Sequence, residues 1–413
     1  MHDAIIIGAG HAGLALSQRL VATGLDHVVL ERGEIGESWR SQRWDSFTLN
    51  TSNAMNGLPG SPYDGDAPEA FEDRDAWVAR RERYSESHGL PVRTHCTVTA
   101  VESDGSGGFI VTAAGARLAA PNVVVASGTV NAPKLPAAAA GLDARIARTT
   151  AGGYRSAGQL PAGAVLVVGS AQSGVQIAED LLGAGREVYL ATGQVGRAPR
   201  RVRGRDTLVW LTESGWMDQR PDDLPDRGMM RWAQPQISGV GPLGHTVSLQ
   251  SLAARGVTLL GHLEAIDGTR ARFADDLPAH VAWGDEASRR LRQHIDDHIA
   301  RDALSAPASD PDPADEPTDP RAFRALPELD LRDRGISAVA FSTGFTSDLS
   351  WLRLPVVDES GTAVHIDGRS PVDGLWFLGL PWLRTRKSAI VWGAVQDSAH
   401  IADQVIARTR TRS

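Results

Sequence analysis

Two glycine-rich loops, each placed between an apolar run and a helical pattern, constrain the fold of this chain most strongly. The first loop is Gly8-Ala-Gly10-His-Ala-Gly13, and it follows the apolar run Ala4–Ile7. In such a loop the first glycine makes a tight turn, the second lets the backbone approach a diphosphate, and the third lets helix and strand pack closely. The N-terminus of the helix then attracts the phosphates with its partial positive charge. The loop therefore predicts a dinucleotide-binding βαβ unit at the start of the chain.

An acidic residue stands where this unit would hold a ribose. Glu31 lies eighteen positions after Gly13, at the end of the next apolar run, Val28–Leu30. A carboxylate at this position accepts hydrogen bonds from both hydroxyls of an unphosphorylated ribose. We therefore predict that the first unit binds the adenosine end of FAD.

The same pattern begins again inside the chain, after the apolar run Val165–Val168. A restart of this kind is typical of a second nucleotide-binding domain rather than of a continuation of the first sheet. Alanine replaces the middle glycine of the second loop, and its methyl group could hold a diphosphate farther from the backbone. The residues expected to contact the second dinucleotide are Gly169, Gln172, Ser173 and Gly174.

The second unit lacks the acid of the first. Thr192 lies eighteen positions after Gly174, in the place that corresponds to Glu31. A cluster of guanidinium groups suits a 2′-phosphate, which a carboxylate would repel. We therefore predict NADPH at the second loop, although arginine clusters are also common on solvated surfaces. The cluster comprises Arg197, Arg200, Arg201, Arg203 and Arg205, of which Arg197 and Arg201 are assigned to the phosphate.

Composition and charge argue against several other classes of protein. A formal charge of −8 does not favour a nucleic-acid partner, and no apolar stretch is long enough to span a bilayer. Cys96 is the single cysteine, which excludes an intrachain disulfide and a redox-active cysteine pair. No metal site is predicted, because His294 and His298 lie in a charged stretch typical of a solvated helix face. We expect a cytoplasmic protein without a signal peptide, and a homodimer is an open expectation.

Segments outside the two loops resemble flavin-containing monooxygenases. The likeness includes Gly36-Glu-Ser-Trp39-Arg40 and Leu49-Asn50-Thr-Ser-Asn53, between the loops. It is strongest to bacterial members that are labelled as flavoproteins of potassium transport. Three further stretches extend the resemblance over most of the chain: 196–206, Ser342-Thr343-Gly344 and 377–382.

The resemblance implies a function and further site residues. In that family NADPH reduces FAD, and reduced FAD captures O2 as a C4a-(hydro)peroxide that transfers one oxygen atom to a small-molecule substrate. Asn50 would lie near the reactive face of the flavin, where a neutral amide can donate a hydrogen bond; alternatively, it only shapes a turn. Trp39 and Arg40 would line the flavin site, with a purely structural Trp39 as the alternative. Other cofactor contacts implied are Ser127, Gly128, Ser342, Thr343 and Gly344.

One family fingerprint is largely missing. It has the form Phe-x-Gly-x-x-x-His-x-x-x-Tyr and precedes the second glycine loop. With Tyr154 in the last position, Ala144, Ile146 and Thr150 stand where phenylalanine, glycine and histidine would. This departure, together with Ala171, leaves two alternatives to an NADPH-dependent monooxygenase. One is an FAD-dependent oxidase or dehydrogenase that takes electrons from its substrate, and the other is a nucleotide-sensing flavoprotein without turnover.

The predicted architecture is α/β with two dinucleotide-binding, Rossmann-like domains. A three-layer, discontinuous FAD domain is expected over 1–155 and 330–413. An inserted NADPH domain is expected over 160–328, and it includes an acidic, proline-rich loop at 307–320 that we expect to be exposed. Helices are predicted over 74–89 and 389–407, and strands over 97–101, 109–113, 122–126, 339–341 and 375–378.

Overall fold

The computed structural model describes residues 2–130, 132–233, 235–239, 241, 244–309, 311–315, 323 and 326–412. Within the loop 307–320, positions 310 and 316–320 therefore lie outside the described residues. The exposure predicted for this loop holds at 307–309 but not at Ala314, which is buried. Asp312 and Asp315 on either side of Ala314 are paired with arginine side chains, which ties this part of the loop to the protein.

The described chain is built of helices and strands. The helices are α1 (His11–Ala22), α2 (Glu37–Ser41), α3 (Arg74–Ser87), α4 (Gln172–Gly183), α5 (Thr207–Glu213), α6 (Leu249–Ala254), α7 (Leu277–Arg301) and α8 (Val391–Arg412). The strands are β1 (Ala4–Ile7), β2 (His27–Leu30), β3 (Val92–Arg93), β4 (Val98–Ser103), β5 (Phe109–Ala113), β6 (Ala116–Ala120), β7 (Asn122–Val125), β8 (Ala132–Pro133), β9 (Ala147–Thr150), β10 (Ala164–Val168), β11 (Val188–Ala191), β12 (Arg201–Val202), β13 (Arg205–Asp206), β14 (Thr258–Leu260), β15 (Leu263–Asp267), β16 (Arg270–Phe273), β17 (Glu328–Asp330), β18 (Ile336–Phe341), β19 (Phe345–Thr346) and β20 (Leu375–Phe377).

The first sheet is parallel and has the strand order β20-β7-β1-β2-β3. All four residues of β1 are buried, as expected for a central strand that is covered on both faces. Helices α1 and α8 pack together, and Arg19 of α1 donates to the hydroxyl of Ser398 across 2.9 Å. The antiparallel meander β4-β5-β6 supplies Val101, Phe109 and Val111 to the same hydrophobic core. Helices, sheet and meander give the three layers that the sequence predicts.

The second sheet is also parallel and has the order β14-β11-β10-β18-β9. Its central strand sends alternate side chains to opposite faces: Val165 and Val167 to one core, Leu166 and Val168 to another. The antiparallel strands β15, β16 and β17 form part of the second of these cores. Helix α7 spans 25 residues.

The α/β class with two parallel, Rossmann-like sheets is confirmed. The predicted domain limits near 155 and 330 do not coincide with the limits of the sheets, however. Strands β9 and β18 were assigned to the first domain by sequence, yet both pair within the second sheet, where β18 lies between β10 and β9. The helices of the described chain include none that is both long and apolar enough to span a membrane.

Candidate functional site

The first glycine loop has the geometry of a diphosphate cradle. Gly8 has a φ of 109°, and a β-carbon there would lie 2.6 Å from the carbonyl oxygen of Ala126. A β-carbon on Gly13 would lie 2.0 Å from the carbonyl oxygen of Gly8, so α1 can pack here only without a side chain. No described atom lies within 4 Å of a β-carbon built on Gly10. The open space therefore adjoins the N-terminus of α1, where an anion is favoured.

A cavity of about 490 Å³ opens from this loop. Glu31, 7% exposed at the end of β2, lines it. The Glu31 carboxylate accepts the N–H of Ala9 at 2.8 Å and the N–H of Gly33 at 3.1 Å. These two donors hold the carboxylate in place and leave lone pairs for the hydroxyls of a ligand. Of the residues predicted from sequence, the cavity lining includes Gly8, Gly10, Glu31, Trp39, Ser127 and Gly128.

The structure places Arg40 differently from the prediction. Its guanidinium pairs with Glu82 and donates to the carbonyl of Ile35 at 3.2 Å, and Arg40 is not part of the cavity lining. Arg43, three residues later, lines the cavity instead and lies over the ring of Trp39. Burial lowers the pKa of Arg43 to about 10, with Arg155 as a second cause, so the group stays charged at neutral pH.

Several residues that line the cavity were not among the predicted site residues. Gly379 lies within a stretch that resembles flavin-containing monooxygenases, but the others match no motif. The group consists of Arg43, Cys96, Thr129, Asp348, Trp351, Gly379 and Ala389. His11, to which the sequence assigned no chemistry, also lines the cavity, and burial lowers its pKa to about 4, with the charge of Arg81 as a second cause.

The second glycine loop repeats the backbone geometry of the first. Gly169 has a φ of 101°, and a β-carbon on Gly174 would lie 1.8 Å from the carbonyl oxygen of Gly169. Ala171 has φ −71° and ψ −178°, almost the angles of Gly10, which has φ −76° and ψ −180°. An L-residue adopts these angles without strain. The alanine therefore leaves the loop undistorted, and its only cost to a ligand is the space of a methyl group.

A short segment covers the second loop. The side-chain amide of Gln172 donates to the carbonyl of Ser238 at 2.5 Å and accepts the N–H of Ile237 at 2.7 Å. The buried amide of Gln236 donates to the carbonyl of Ser170. A dinucleotide at this loop must therefore fit beside residues 236–238 or displace them.

Residues 342–344, which the resemblance placed among the cofactor contacts, adjoin the second loop. A β-carbon on Gly169 would lie 2.6 Å from the carbonyl oxygen of Ser342, and Ser342 is buried. The hydroxyl of Thr343 donates to the carbonyl of Lys134, and the carbonyl of Gly344 accepts the N–H of Lys134. The lining of the first cavity includes neither Ser342 nor Thr343 nor Gly344. Ser342, directly after β18, thus contacts the second loop in the same way as Ala126, directly after β7, contacts the first loop.

Thr192 has its hydroxyl already engaged. Thr192 is 2% exposed, and its hydroxyl donates to the carbonyl of Leu260 at 2.7 Å. The same hydroxyl is hydrogen-bonded to Nδ1 of His280 at 2.9 Å. The arginines of the predicted phosphate site are also paired with carboxylates. The pairs are Arg197 with Asp285 and Asp315, Arg200 with Asp206, Arg201 with Glu69, Arg203 with Asp296, and Arg205 with Glu213.

Asn50 lies where the two halves of the protein meet. Its Oδ1 accepts a hydrogen bond from the amide of Gln176 in α4 at 3.1 Å, and its backbone carbonyl accepts one from Arg200 at 3.0 Å. Tyr154, which remains of the family fingerprint, is fully buried and donates to Asp180 of α4 at 2.5 Å. Both residues thus contact the helix that follows the second loop.

The arrangement is that of a known family. The model of the pyridine nucleotide-disulphide oxidoreductases matches residues 5–222, which is over half of the chain. The chain belongs to this family. As a pyridine nucleotide-disulphide oxidoreductase with a single cysteine, Cys96, it has no cysteine pair for dithiol chemistry.

Individual proteins are similar to this chain, some of them over nearly its whole length. An uncharacterized CzcO-like oxidoreductase of Geobacillus kaustophilus is 27% identical over 98% of each chain. The indole-3-pyruvate monooxygenase YUCCA1 of Oryza sativa subsp. japonica is 28% identical over 58% of this chain and 60% of its own length. The flavin-containing monooxygenase from Stenotrophomonas maltophilia superposes with a TM-score of 0.67, at 20% identity and 98% coverage of both chains. The resemblance to flavin-containing monooxygenases is thereby confirmed, and the chain is an oxidoreductase of the pyridine nucleotide-disulphide family.

Proposed function

We propose that this protein is an FAD-dependent monooxygenase that takes its electrons from NADPH and transfers one oxygen atom of O2 to a small-molecule substrate. The observation that carries the proposal is the pair of glycine cradles with matching backbone angles, at Gly10 and Ala171, in one chain. Two cradles suit an electron carrier and an electron donor that are bound together. The monooxygenases among the similar proteins support the same reaction.

The first cavity supplies what FAD requires. The N-terminus of α1 beside Gly10 would hold the diphosphate, and the Glu31 carboxylate would accept the ribose hydroxyls. Trp39 and Arg43 would bound the ring system, together with Ser127 and Gly128. When bound, FAD would supply the redox and oxygen chemistry, while these residues position it and exclude water.

The second loop is the proposed NADPH site, formed by Gly169, Gln172, Ser173 and Gly174. Arg197 and Arg201 would bind the 2′-phosphate, and Thr192 would lie where a carboxylate would repel it. Both arginines are engaged by carboxylates, so binding would require an exchange of Asp285, Asp315 or Glu69 for the phosphate. Asn50 is the proposed catalytic residue, and the N–H groups of its amide, which donate to no described residue, would donate toward the reacting centre.

One observation favours a second candidate, an FAD-dependent oxidase or dehydrogenase that is reduced by its own substrate. Residues 236–238 occupy hydrogen-bonding groups of Ser170 and Gln172 at the second loop. A protein that never admits a nicotinamide dinucleotide could keep these contacts permanently.

Rapid mixing separates the two candidates. Under anaerobic conditions NADPH should bleach the bound flavin of the purified protein. Subsequent mixing with O2 should restore the spectrum of oxidised flavin by way of a short-lived species with an absorbance of its own. A flavin that substrate candidates bleach while NADPH leaves it oxidised would establish the oxidase. If neither reduces it, both reactions are excluded.

A further inference from the structure

Arg81 is a buried cation that forms no ion pair with the described residues. It lies in α3, is 0% exposed, and its Nε, Nη1 and Nη2 find no hydrogen-bond acceptor among the described residues. Burial, the largest cause, holds the pKa of this guanidinium well below its usual range. An unpaired buried charge destabilises the folded state strongly, so its presence calls for a partner that binds from outside the chain.

The surroundings of Arg81 offset only part of this cost. Its guanidinium carbon lies 4.2 Å from the ring centroid of Trp77 and 5.4 Å from that of Trp39, which allows cation–π attraction. The two carboxylates that act on its charge, Glu72 and Glu82, are engaged elsewhere, with Arg80 and Arg40. Within the described part of the chain, no carboxylate therefore forms an ion pair with Arg81.

The guanidinium lies behind the wall of the first cavity. A β-carbon on Gly36, a residue that lines the cavity, would lie only 2.9 Å from Nη2 of Arg81. Gly36 in turn donates to the carbonyl of Ala9, within the first glycine loop. The charge of Arg81 also acts on His11, the first residue of α1. These contacts place the charge next to the helix N-terminus at which the diphosphate of a dinucleotide is favoured.

We propose that Arg81 is the counter-charge for the diphosphate of the dinucleotide in the first cavity. The inference rests on the proposed function only in that it takes this cavity to be the FAD site. Because Arg81 acts through a low-dielectric wall, its attraction for the diphosphate is weakly screened by solvent. Binding of the dinucleotide then neutralises a charge that destabilises the protein without its cofactor.

The experiment compares R81M with R80M in the full-length protein stripped of flavin. Arg80 is the neighbour in sequence and is paired with Glu72 at 2.7 Å, which makes it the matched control. We expect R81M to weaken FAD and ADP at least tenfold, to leave riboflavin, which has no phosphate, within twofold, and to raise the melting temperature of the stripped protein. R80M should lower the melting temperature and leave the ratio of FAD to riboflavin affinity unchanged. R81K should recover part of the lost FAD affinity.

Three results would overturn the inference: an R81M variant that melts earlier or does not fold, an unchanged affinity for ADP, or an equal loss for riboflavin. Each would assign Arg81 a packing role. The outcome is separable from the proposed reaction. Wild-type protein that binds FAD but is not reduced by NADPH would end the monooxygenase proposal and leave the role of Arg81 intact.

Discussion

The side-chain amide of Gln176 donates a hydrogen bond to Oδ1 of Asn50 across 3.1 Å. Gln176 is 1% exposed and belongs to α4, the helix of the second glycine loop, whereas Asn50 belongs to the segment between α2 and α3. The bond fixes which face of the Asn50 amide is available. With Oδ1 turned to Gln176, the two N–H groups of Asn50 point the other way.

Loss of this bond should uncouple the reaction. We expect Gln176→Met to increase the hydrogen peroxide released per NADPH oxidised about fivefold, because about 1 kcal/mol of orientation is lost with one hydrogen bond. A double-mutant cycle with Asn50→Ala supplies the control: the double variant should behave like Asn50→Ala alone. Additive effects of the two substitutions would show that Gln176 does not act through Asn50.

The two glycines of the first loop should separate binding from folding. Gly10→Ala places a methyl group in open space at a φ of −76°, so the melting temperature without flavin should be unchanged while FAD affinity falls about tenfold or more. Gly13→Ala drives a β-carbon to 2.0 Å from the carbonyl of Gly8, and we expect it to destabilise the flavin-free protein by several kcal/mol. Thermal melts and flavin titration of both variants test this contrast. Equal melting losses in the two variants would contradict the diphosphate-binding role of Gly10.

Local spacing was enough to predict the two cradles, because a strand, a glycine turn and a helix are specified within about thirty residues. The glycines at 8, 13, 169 and 174 meet backbone atoms as that pattern requires. The carboxylates that neutralise the arginine loop were not predictable in this way. Asp285 and Asp315 reach Arg197 from positions far along the chain, and no periodicity announces such a pairing.

The cavity wall shows the same limit. Arg40 is predicted to line the flavin site because it falls within the stretch that resembles flavin-containing monooxygenases. In the structure the Arg40 side chain in the short helix α2 pairs with Glu82 instead. Arg81 resembles the other charges on a polar helix, since three of the ten residues Arg74–Arg83 are arginines other than Arg81. Only the packing of Trp39 and Trp77 around it reveals the burial.

The arginine loop gives a test of the electron donor. We expect the double substitution Arg197→Ala and Arg201→Ala to raise the KM for NADPH about tenfold while the KM for NADH changes little, since a 2′-phosphate contact is worth more than 1 kcal/mol. Asp315→Asn should change the KM for NADPH in the opposite direction and lower it, because the substitution releases Arg197 from one of its two carboxylate partners. Arg205→Ala, which removes the pair with Glu213 and the contact with the ring of Trp210, serves as the control. Equal changes in the KM values for NADPH and NADH would show that the 2′-phosphate does not bind at this loop.

Asp397 should make the stability of the protein depend on pH. This side chain of α8 is 2% exposed, and burial raises its pKa to about 6, against the opposing effects of Ser388, Arg384 and Lys387. Between about pH 4 and pH 6 the folded protein then binds more protons than the unfolded chain, so stability falls as the pH rises through this window. Asp397→Asn removes the ionisation. We expect the variant to exceed the wild type by on the order of 1–3 kcal/mol at pH 8 and to match it below pH 4.

Denaturant unfolding of wild type and Asp397→Asn at intervals from pH 4 to pH 8 measures this difference. Asp403→Asn, a substitution on the exposed side of the same helix, is the control for the loss of one negative charge. Arg384 lies 3.6 Å from Oδ1 of Asp397 and attracts the ionised carboxylate, which opposes the effect of burial. If this ion pair outweighed burial, the wild type would be more stable than the variant at high pH. The sign of the difference at pH 8 therefore decides whether burial or the arginine controls this carboxylate.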